Sequence, residues 1–429
     1  MTSTVAVLQE VRRRARRTPD RLAAILVALL ALTAGTGLLG ILSVRDRAAA
    51  LDEATGNSSR LSVAAVTAYQ SLSDADATAA GAFLAAGAEP PQAGQRYAAD
   101  IAQAAAALST LTQGASADAA GAVAELAGDL PVYAGKIDTA RAYNRQGLPL
   151  GAAYLREAST LARERMLPAA QRLYQLEAGR LAAAQHAGSA PPWLALAAGV
   201  LAAAALVAAQ RHLTRTTNRL LNPGLLAATA GTVAAVGWLA VASVRVAVDT
   251  GTSRRTGTEQ IEALAQARIA SLQARSFEAL TLVARGNGAD LERRYAATME
   301  RLGGTGGLLE TAAARTAEAD SAAEVRAAAA TVRLWREVHA DLRRMDDAGD
   351  YADAVALATG PASTTAGSLA SSVDQHLGAA TAQAGDRFAR AAGRARGALS
   401  GVGPGVVAIM ALAAAASAVG MWPRIAEYR

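Results

Sequence analysis

The chain contains no cysteine, so disulfides, thiol catalysis and cysteine-ligated zinc are excluded. Aromatic residues are scarce, at 4% of 429, and Lys136 is the only lysine among 42 basic residues. A core with so few rings has to be built from Ala, Leu and Val. That suits closely approaching helices and does not suit a β-sandwich, which draws on aromatic and β-branched residues. Charge is scarce as well, at 18% against 52% hydrophobic. This is too apolar for an ordinary soluble protein and too polar for one mostly embedded in lipid.

Motifs for catalysis are also missing. The four histidines, His186, His212, His339 and His376, are scattered, with no HExxH or paired metal spacing. His339 follows Trp335 by one helical turn and reads as a packed or half-exposed histidine. The Gly303 to Gly307 cluster lacks the Lys-Ser/Thr of a phosphate loop and reads as a helix break. Asp346, Asp347, Asp350 and Asp353 lack the alternation and closing Glu of a calcium loop. They read as a solvated turn with helix N-capping. The sequence therefore predicts no enzyme, no cofactor and no metal.

What the chain does have is four uncharged apolar runs, 22–44, 191–209, 225–244 and 402–422. At 1.5 Å per residue each is long enough, or nearly so, for a hydrocarbon core of about 30 Å. The first is longer than the apolar region of a cleaved signal peptide and reads as an uncleaved anchor. Trp193 suits an interfacial aromatic belt, and Gly231 and Gly237 are expected to permit close helix contact. No ionisable residue lies inside the runs, which argues against a proton relay or secondary transport.

Arginine fixes the expected orientation. Residues 1–21 carry Arg12, Arg13, Arg14, Arg16, Arg17 and Arg21, the loop 210–224 carries Arg211, Arg215 and Arg219, and the tail 423–429 carries Arg424 and Arg429. Against Glu10, Asp20 and Glu427 these leave +8 on one side and about −2 on the other. Arginine beside spans marks the cytoplasmic face, so both termini and the loop are expected inside. The excess is juxtamembrane and lacks interleaved aromatics, which disfavours nucleic acid. Contact with anionic lipid, or with a cytoplasmic partner, is the expected role of these arginines.

Between the runs, residues 45–190 and 245–401 read as helical almost throughout. Gly/Pro clusters divide the first at 87–91, 114–118 and 147–151, predicting four helices. The second breaks at 286–288, 303–307, around Asp320-Ser321, at 349–350 and at Gly360-Pro361, with Asp320 or Ser321 a candidate N-cap. Leu61, Ala65, Tyr69 and Leu72 recur at helical spacing and predict a one-sided apolar stripe.

The two segments read as an internal duplication. Ser43-Val44-Arg45 recurs at Ser243-Val244-Arg245, Ser71-Leu72 at Ser271-Leu272, and Arg96-Tyr97-Ala98-Ala99 at Arg294-Tyr295-Ala296-Ala297. Tyr133, Ile137 and Gly147 match Trp335, His339 and Gly349. The expected fold class is an all-α membrane protein with four transmembrane helices and two tandem extracytoplasmic antiparallel four-helix bundles. Arg96, Tyr97, Arg294 and Tyr295 are candidate ligand or partner contacts, since Arg binds anions and Tyr stacks or hydrogen-bonds. Packing by Tyr with a solvated Arg is the alternative.

The unit of span, helical bundle and span resembles the four-helix-bundle sensor domains of chemoreceptors and sensor histidine kinases. The early Tyr/Trp of the third helix and Gly349-Asp350-Tyr351-x-x-Ala354 opening the fourth carry that resemblance. Such receptors continue into a HAMP linker and a signalling domain, whereas this sequence ends at Arg429. Two bundles, four spans and little cytoplasmic mass resemble the actinobacterial membrane protein of the glutamine-sensing pathway. That resemblance implies partners: an extracytoplasmic solute-binding lipoprotein and a separate cytosolic serine/threonine kinase, protein kinase G. A structural envelope scaffold and a self-contained small-molecule receptor stay open as alternatives, as does a homo-oligomer.

Overall fold

A computed structural model describes residues 18–84, 91–217, 222–253, 259–316, 318–360 and 362–426, with the backbone alone at 18–20, 216–217, 252–253 and 424–426. Arg12, Arg13, Arg14, Arg16, Arg17 and Arg219 lie outside the described residues, as does most of the expected break at 87–91. The described residues form fifteen α-helices and two π-helical segments, with no strand among them.

In chain order the helices are α1 (Thr18–Glu53), α2 (Ser59–Phe83), α3 (Pro91–Gly114), α4 (Ala117–Arg145), α5 (Leu150–Leu161), α6 (Leu167–Ser189) and α7 (Trp193–Thr217). Then follow α8 (Pro223–Ser253), α9 (Glu259–Val283), α10 (Ala289–Gly303), α11 (Leu308–Ala314) and α12 (Ala319–Ala348). The last three are α13 (Tyr351–Thr359), α14 (Ala366–Leu399) and α15 (Val402–Ala426). The π segments, Ala54–Ser58 and Ala162–Met166, join α1 to α2 and α5 to α6 without a break in helical structure. Helix ends follow the glycines. Gly349 takes the left-handed conformation at φ 92° and its N–H bonds the Asp346 carbonyl at 3.1 Å, a C-terminal stop that only glycine makes cheaply.

The chain divides into two compact units. An apolar unit comprises 1–52, 185–250 and 392–429; a larger unit comprises 53–184 and 251–391. The boundaries at 52–53, 184–185, 250–251 and 391–392 each fall inside helical backbone.

The apolar unit holds helices long and apolar enough to cross a membrane, four such stretches in all, each with only 28–33% of its most apolar window buried. Val27, Leu38, Leu194, Val200, Val233, Leu412 and Val419 are exposed, as side chains solvated by lipid tails would be. Hydroxyls in these helices bond back to their own backbone: Thr33 Oγ1 donates to Leu29 O at 2.9 Å and Ser417 Oγ to Ala413 O at 2.9 Å. That satisfies them without water. Close contact falls on glycines other than those expected. Gly237 is exposed with nothing within 4 Å of a Cβ built on it, and Gly231 has only ordinary contacts to Ile409 and Ala413 on α15. The tight approach is between α8 and α15 at Gly224 and Gly420. A Cβ on Gly224 would sit 2.6 Å from Gly420 Cα. The stretch 210–224 is also more helical than a loop. Its apolar and polar residues extend α7 through Thr217, which places Arg211 and Arg215 exposed on the last turns of that helix.

In the larger unit one apolar core runs from Leu61 to Ala384 and includes residues of both sequence halves. Its two central helices, α2 and α9, pack on each other. The one-sided stripe expected on the first helix is therefore incomplete. Ala64, Ala68, Ala75, Ala77, Ala79 and Ala80 are buried with Leu61 and Leu72, because α2 meets α9 as well as α3. A helix buried all round carries small side chains that let neighbouring backbones approach. The capping expectations also change. Position N-cap of α12 is Glu318, without a side-chain cap bond. Ser321 lies inside the helix instead, its Oγ donating to Gln383 Oε1 at 2.5 Å and accepting from Arg387 Nη1 at 3.0 Å. Asp350 precedes α13 without a side-chain cap bond either, while Asp346 and Asp347 engage Arg343 at 2.5 and 2.7 Å.

Candidate functional site

Central helices rich in small and apolar residues nonetheless carry buried and half-buried charge. On α2, Asp74 and Asp76 interrupt the small apolar run from Leu72 to Leu84; on α9, Arg268 and Arg275 stand two turns apart on one face. Charges in such places are tolerated only when paired. Asp76 Oδ1 accepts from Ser159 Oγ at 2.6 Å and its Oδ2 from Ser276 Oγ at 2.7 Å, tying α2 to α5 and α9. Asp74 Oδ2 accepts from Arg96 Nε at 3.1 Å and Nη2 at 2.8 Å, while Arg275 Nη1 reaches Asp74 Oδ1 at 3.5 Å. Across from them Asp374 on α14 takes both arms of Arg268, at 2.5 and 3.2 Å, and approaches Arg96 at 3.9 Å.

This cluster perturbs its members. Burial pushes the Asp100 carboxyl up, with repulsion from Asp74 adding to it and Arg96 opposing, to about 7. Burial lowers the Arg275 guanidinium, and Asp74 only partly restores it. Burial lowers the Arg96 guanidinium, but Asp74, aided by Asp374 and Asp100, more than offsets it and leaves Arg96 above its usual value.

Arg96, Arg275 and Glu278 face a cavity of about 550 Å³. Its walls come from α2, α3, α9, the end of α13 and the start of α14, with Ser368, Ser371 and Ser372 supplying hydroxyls and Gln92 and Gln375 carboxamides. Small residues, Ala82, Ala93 and Ala279 among them, complete the lining. Polar groups converging in a concavity of this size are the usual signature of a small-molecule site.

Glu278 links that cavity to a second cluster. Its carboxylate accepts from Trp335 Nε1 at 3.1 and 3.3 Å and lies 2.7 Å from His339 Nδ1, whose Nε2 is 2.9 Å from Glu292. Burial alone would lower the imidazole, but the two carboxylates overcome it and hold His339 at about 9. The histidine is thus an imidazolium at neutral pH, stacked on the Tyr295 ring at 3.7 Å between centroids.

The four Arg-Tyr candidates part company. Tyr97 and Tyr295 are both buried core residues, Tyr97 6.5 Å from Tyr133 and Tyr295 6.2 Å from Trp335 between ring centroids. Arg141 lies 4.1 Å over the Tyr97 ring. Arg96 enters the cavity cluster, whereas Arg294 is exposed on α10 and pairs with Asp290 on the same helix at 2.9 Å. Arg211 and Arg215 belong to the apolar unit and are exposed. No sequence motif marks Asp74, Asp76, Arg268, Arg275, Glu278 or Asp374. The available signal was charge at helical spacing inside otherwise small, apolar helices.

Residues 50–186, about a third of the chain, match the family described as the actinobacterial sensor domain. No curated protein and no solved structure matches the chain. The matched stretch runs from the end of α1 through most of α6 and includes Arg96 and the α2 and α3 walls of the cavity. The described residues are thus almost entirely helical, with four helices long and apolar enough to cross a membrane and a stretch that matches a sensor domain.

Proposed function

We propose that the chain is a non-enzymatic transmembrane sensor that detects a signal in its larger unit and relays it through helix shifts to a separate intracellular chain. In this reading the larger unit is extracytoplasmic, the four apolar helices span the membrane, and both termini and residues 210–224 face the cytoplasm. The arginine excess at 12–21 and 211–219 supports that orientation. The larger unit comprises two antiparallel four-helix bundles descended from one by duplication. Matching ring pairs support this, Tyr97 with Tyr133 in one half and Tyr295 with Trp335 in the other.

The observation that carries the reading is the cavity and the paths of its walls. Helix α14 lines it at Ser368 to Gln375 and continues unbroken to Leu399 in the apolar unit, and α2 follows α1 through continuous helical structure. An occupant that moves either wall by an ångström or two has a helical route to the membrane. The output partner, on the resemblance to the glutamine-sensing pathway, is a cytosolic serine/threonine kinase. The input is a small molecule in the cavity; docking of a solute-binding lipoprotein on the larger unit is the second reading, resting on the same resemblance.

Crosslinking the tagged full-length chain in native membranes, followed by mass spectrometry, tests the relay. Recovery of a cytosolic kinase supports it, and co-recovery of a solute-binding lipoprotein favours the second reading of the input. Efficient crosslinking that captures no kinase overturns the relay and leaves a scaffold as the better account.

A further inference from the structure

We infer that the cavity binds a small organic monocarboxylate bearing a hydrogen-bond donor near its carboxylate, and that this anion displaces Asp74 from Arg275 and Arg96. The inference rests on the sensor reading and deepens it by naming the ligand's chemistry and the contact it breaks.

Arg275 is the starting point. Its side chain is 18% exposed, yet its ion pair with Asp74 is long, at 3.5 Å. A guanidinium has five donors in a planar fork that matches a carboxylate. Here that fork opens on a cavity and, among the described residues, is served by one distant oxygen. Arg96 is held more firmly, but by a single oxygen, since its Nε and Nη2 both point at Asp74 Oδ2. Asp374 helps both only at longer range, coming no nearer to Arg96 than 3.9 Å, because its closest contacts are to Arg268. The charge balance of the cluster leaves room for an anion. Three guanidiniums, Arg96, Arg268 and Arg275, stand against Asp74 and Asp374, while Glu278 on the cavity wall already faces the charged His339 ring.

The wall itself limits the anion to one charge. Two guanidiniums and the Glu278 carboxylate line the cavity, so a dianion would gain the first two at the cost of repulsion by the third. Glu278 Oε2, which accepts only from Trp335 Nε1 at 3.1 Å among the described residues, is a further acceptor for an ammonium or hydroxyl on the ligand. The three serines and two glutamines meet polar groups beyond, and the alanines admit a short apolar body.

Binding then exchanges an internal carboxylate for an external one. The ligand takes the Arg275 fork and one arm of Arg96, and Asp74 loses the contacts that join α2 to α3 and α9. The signal on this account is the loosening of α2 from its neighbours.

Calorimetry on the purified full-length chain in detergent tests this with two matched series that differ only in the α-substituent: propionate, lactate and alanine, then 4-methylpentanoate, 2-hydroxy-4-methylpentanoate and leucine. Binding is expected within at least one series, with the hydroxy or amino member tighter than the bare acid; succinate and inorganic phosphate are expected to bind at least tenfold more weakly. Arg275→Gln is expected to abolish binding, as is Ser372→Leu, which fills the cavity from a partly exposed position without touching the charges. Asp74→Asn removes the competitor and is expected to tighten binding about tenfold, the equivalent of roughly 1.4 kcal/mol. No binding in either series, binding unchanged in Ser372→Leu, or tighter binding of phosphate or succinate overturns the site or its class. Equal or weaker binding in a folded Asp74→Asn protein overturns the exchange, and if that variant does not fold, Asp74→Glu, which restores the competitor, must leave binding within threefold of the wild type. Kinase capture without any binding of these acids leaves the relay standing and this inference fallen; binding without kinase capture does the reverse.

Discussion

Glu278 Oε1 lies 2.7 Å from His339 Nδ1, and the same carboxylate takes the Trp335 indole N–H. One buried acid on α9 thus holds two side chains of α12 and also faces the cavity. Because Glu292 holds the other ring nitrogen at 2.9 Å, the imidazolium is favoured far above the ordinary histidine range.

The first prediction is a pH dependence. With His339 at about 9 in the folded chain against 6.5 for the free group, its contribution is fully present below about pH 6.5 and is lost as pH rises through about 9. The gap corresponds to roughly 3 kcal/mol. The melting temperature of the full-length chain in detergent should fall between pH 7 and 9.5, and His339→Gln should flatten that segment of the profile. An unchanged slope in the variant would remove His339 as its source.

Trp335 and His339 share Glu278, so their effects should not add. Trp335→Phe deletes the indole donor and leaves the carboxylate one partner short, at about 1–3 kcal/mol. The double variant Trp335→Phe/His339→Gln should cost less or more than the sum of the singles by at least ~0.5 kcal/mol. Simple additivity in thermal unfolding would mean the two contacts are independent.

The sequence discloses some of this and hides the rest for physical reasons. Helix ends at Gly147, Gly286 and Gly349 are legible, since each glycine takes positive φ where other residues are strained. The apolar helices are legible from length and hydropathy alone. The role of Arg96 is only half legible: its dipeptide marks a repeated position, but whether the arginine turns to a cluster or to solvent depends on residues distant in sequence. Asp74 and Asp374 await Arg96, whereas Arg294 finds, among the described residues, only Asp290 on its own helix. Pairing of α2 with α9 brings residues 200 apart into contact, as Asp76 and Ser276 show, and no local pattern encodes that.

Asp76 separates a buried charge from a surface one. Asp76→Ala leaves the Ser159 and Ser276 hydroxyls without their shared acceptor in a core position, and should destabilise the chain by about 2–5 kcal/mol. Asp290→Ala breaks exposed pairs with Arg293 and Arg294 and should leave the melting temperature nearly unchanged. Equal effects of the two variants would contradict the burial of Asp76.

Glycine in the apolar unit gives the last test, because the residues that matter differ from those the sequence singles out. Gly224 and Gly420 let α8 and α15 touch. A Cβ on Gly420 would fall 2.6 Å from Asn222 Oδ1 and 2.9 Å from Gly224 Cα, and Asn222 Nδ2 donates to the Gly420 carbonyl at 2.7 Å. Neither backbone nor the bonded carboxamide can yield without separating the helices. Gly420→Val should therefore lower thermal stability in detergent by the equivalent of about 1–3 kcal/mol, as overpacking does elsewhere. Gly237, by contrast, has open space around its Cβ position in a helix interior. Gly237→Ala should be neutral or stabilising by up to ~1 kcal/mol, since alanine loses less backbone entropy. A loss at Gly237 equal to that at Gly420 would place a helix contact where this packing has none.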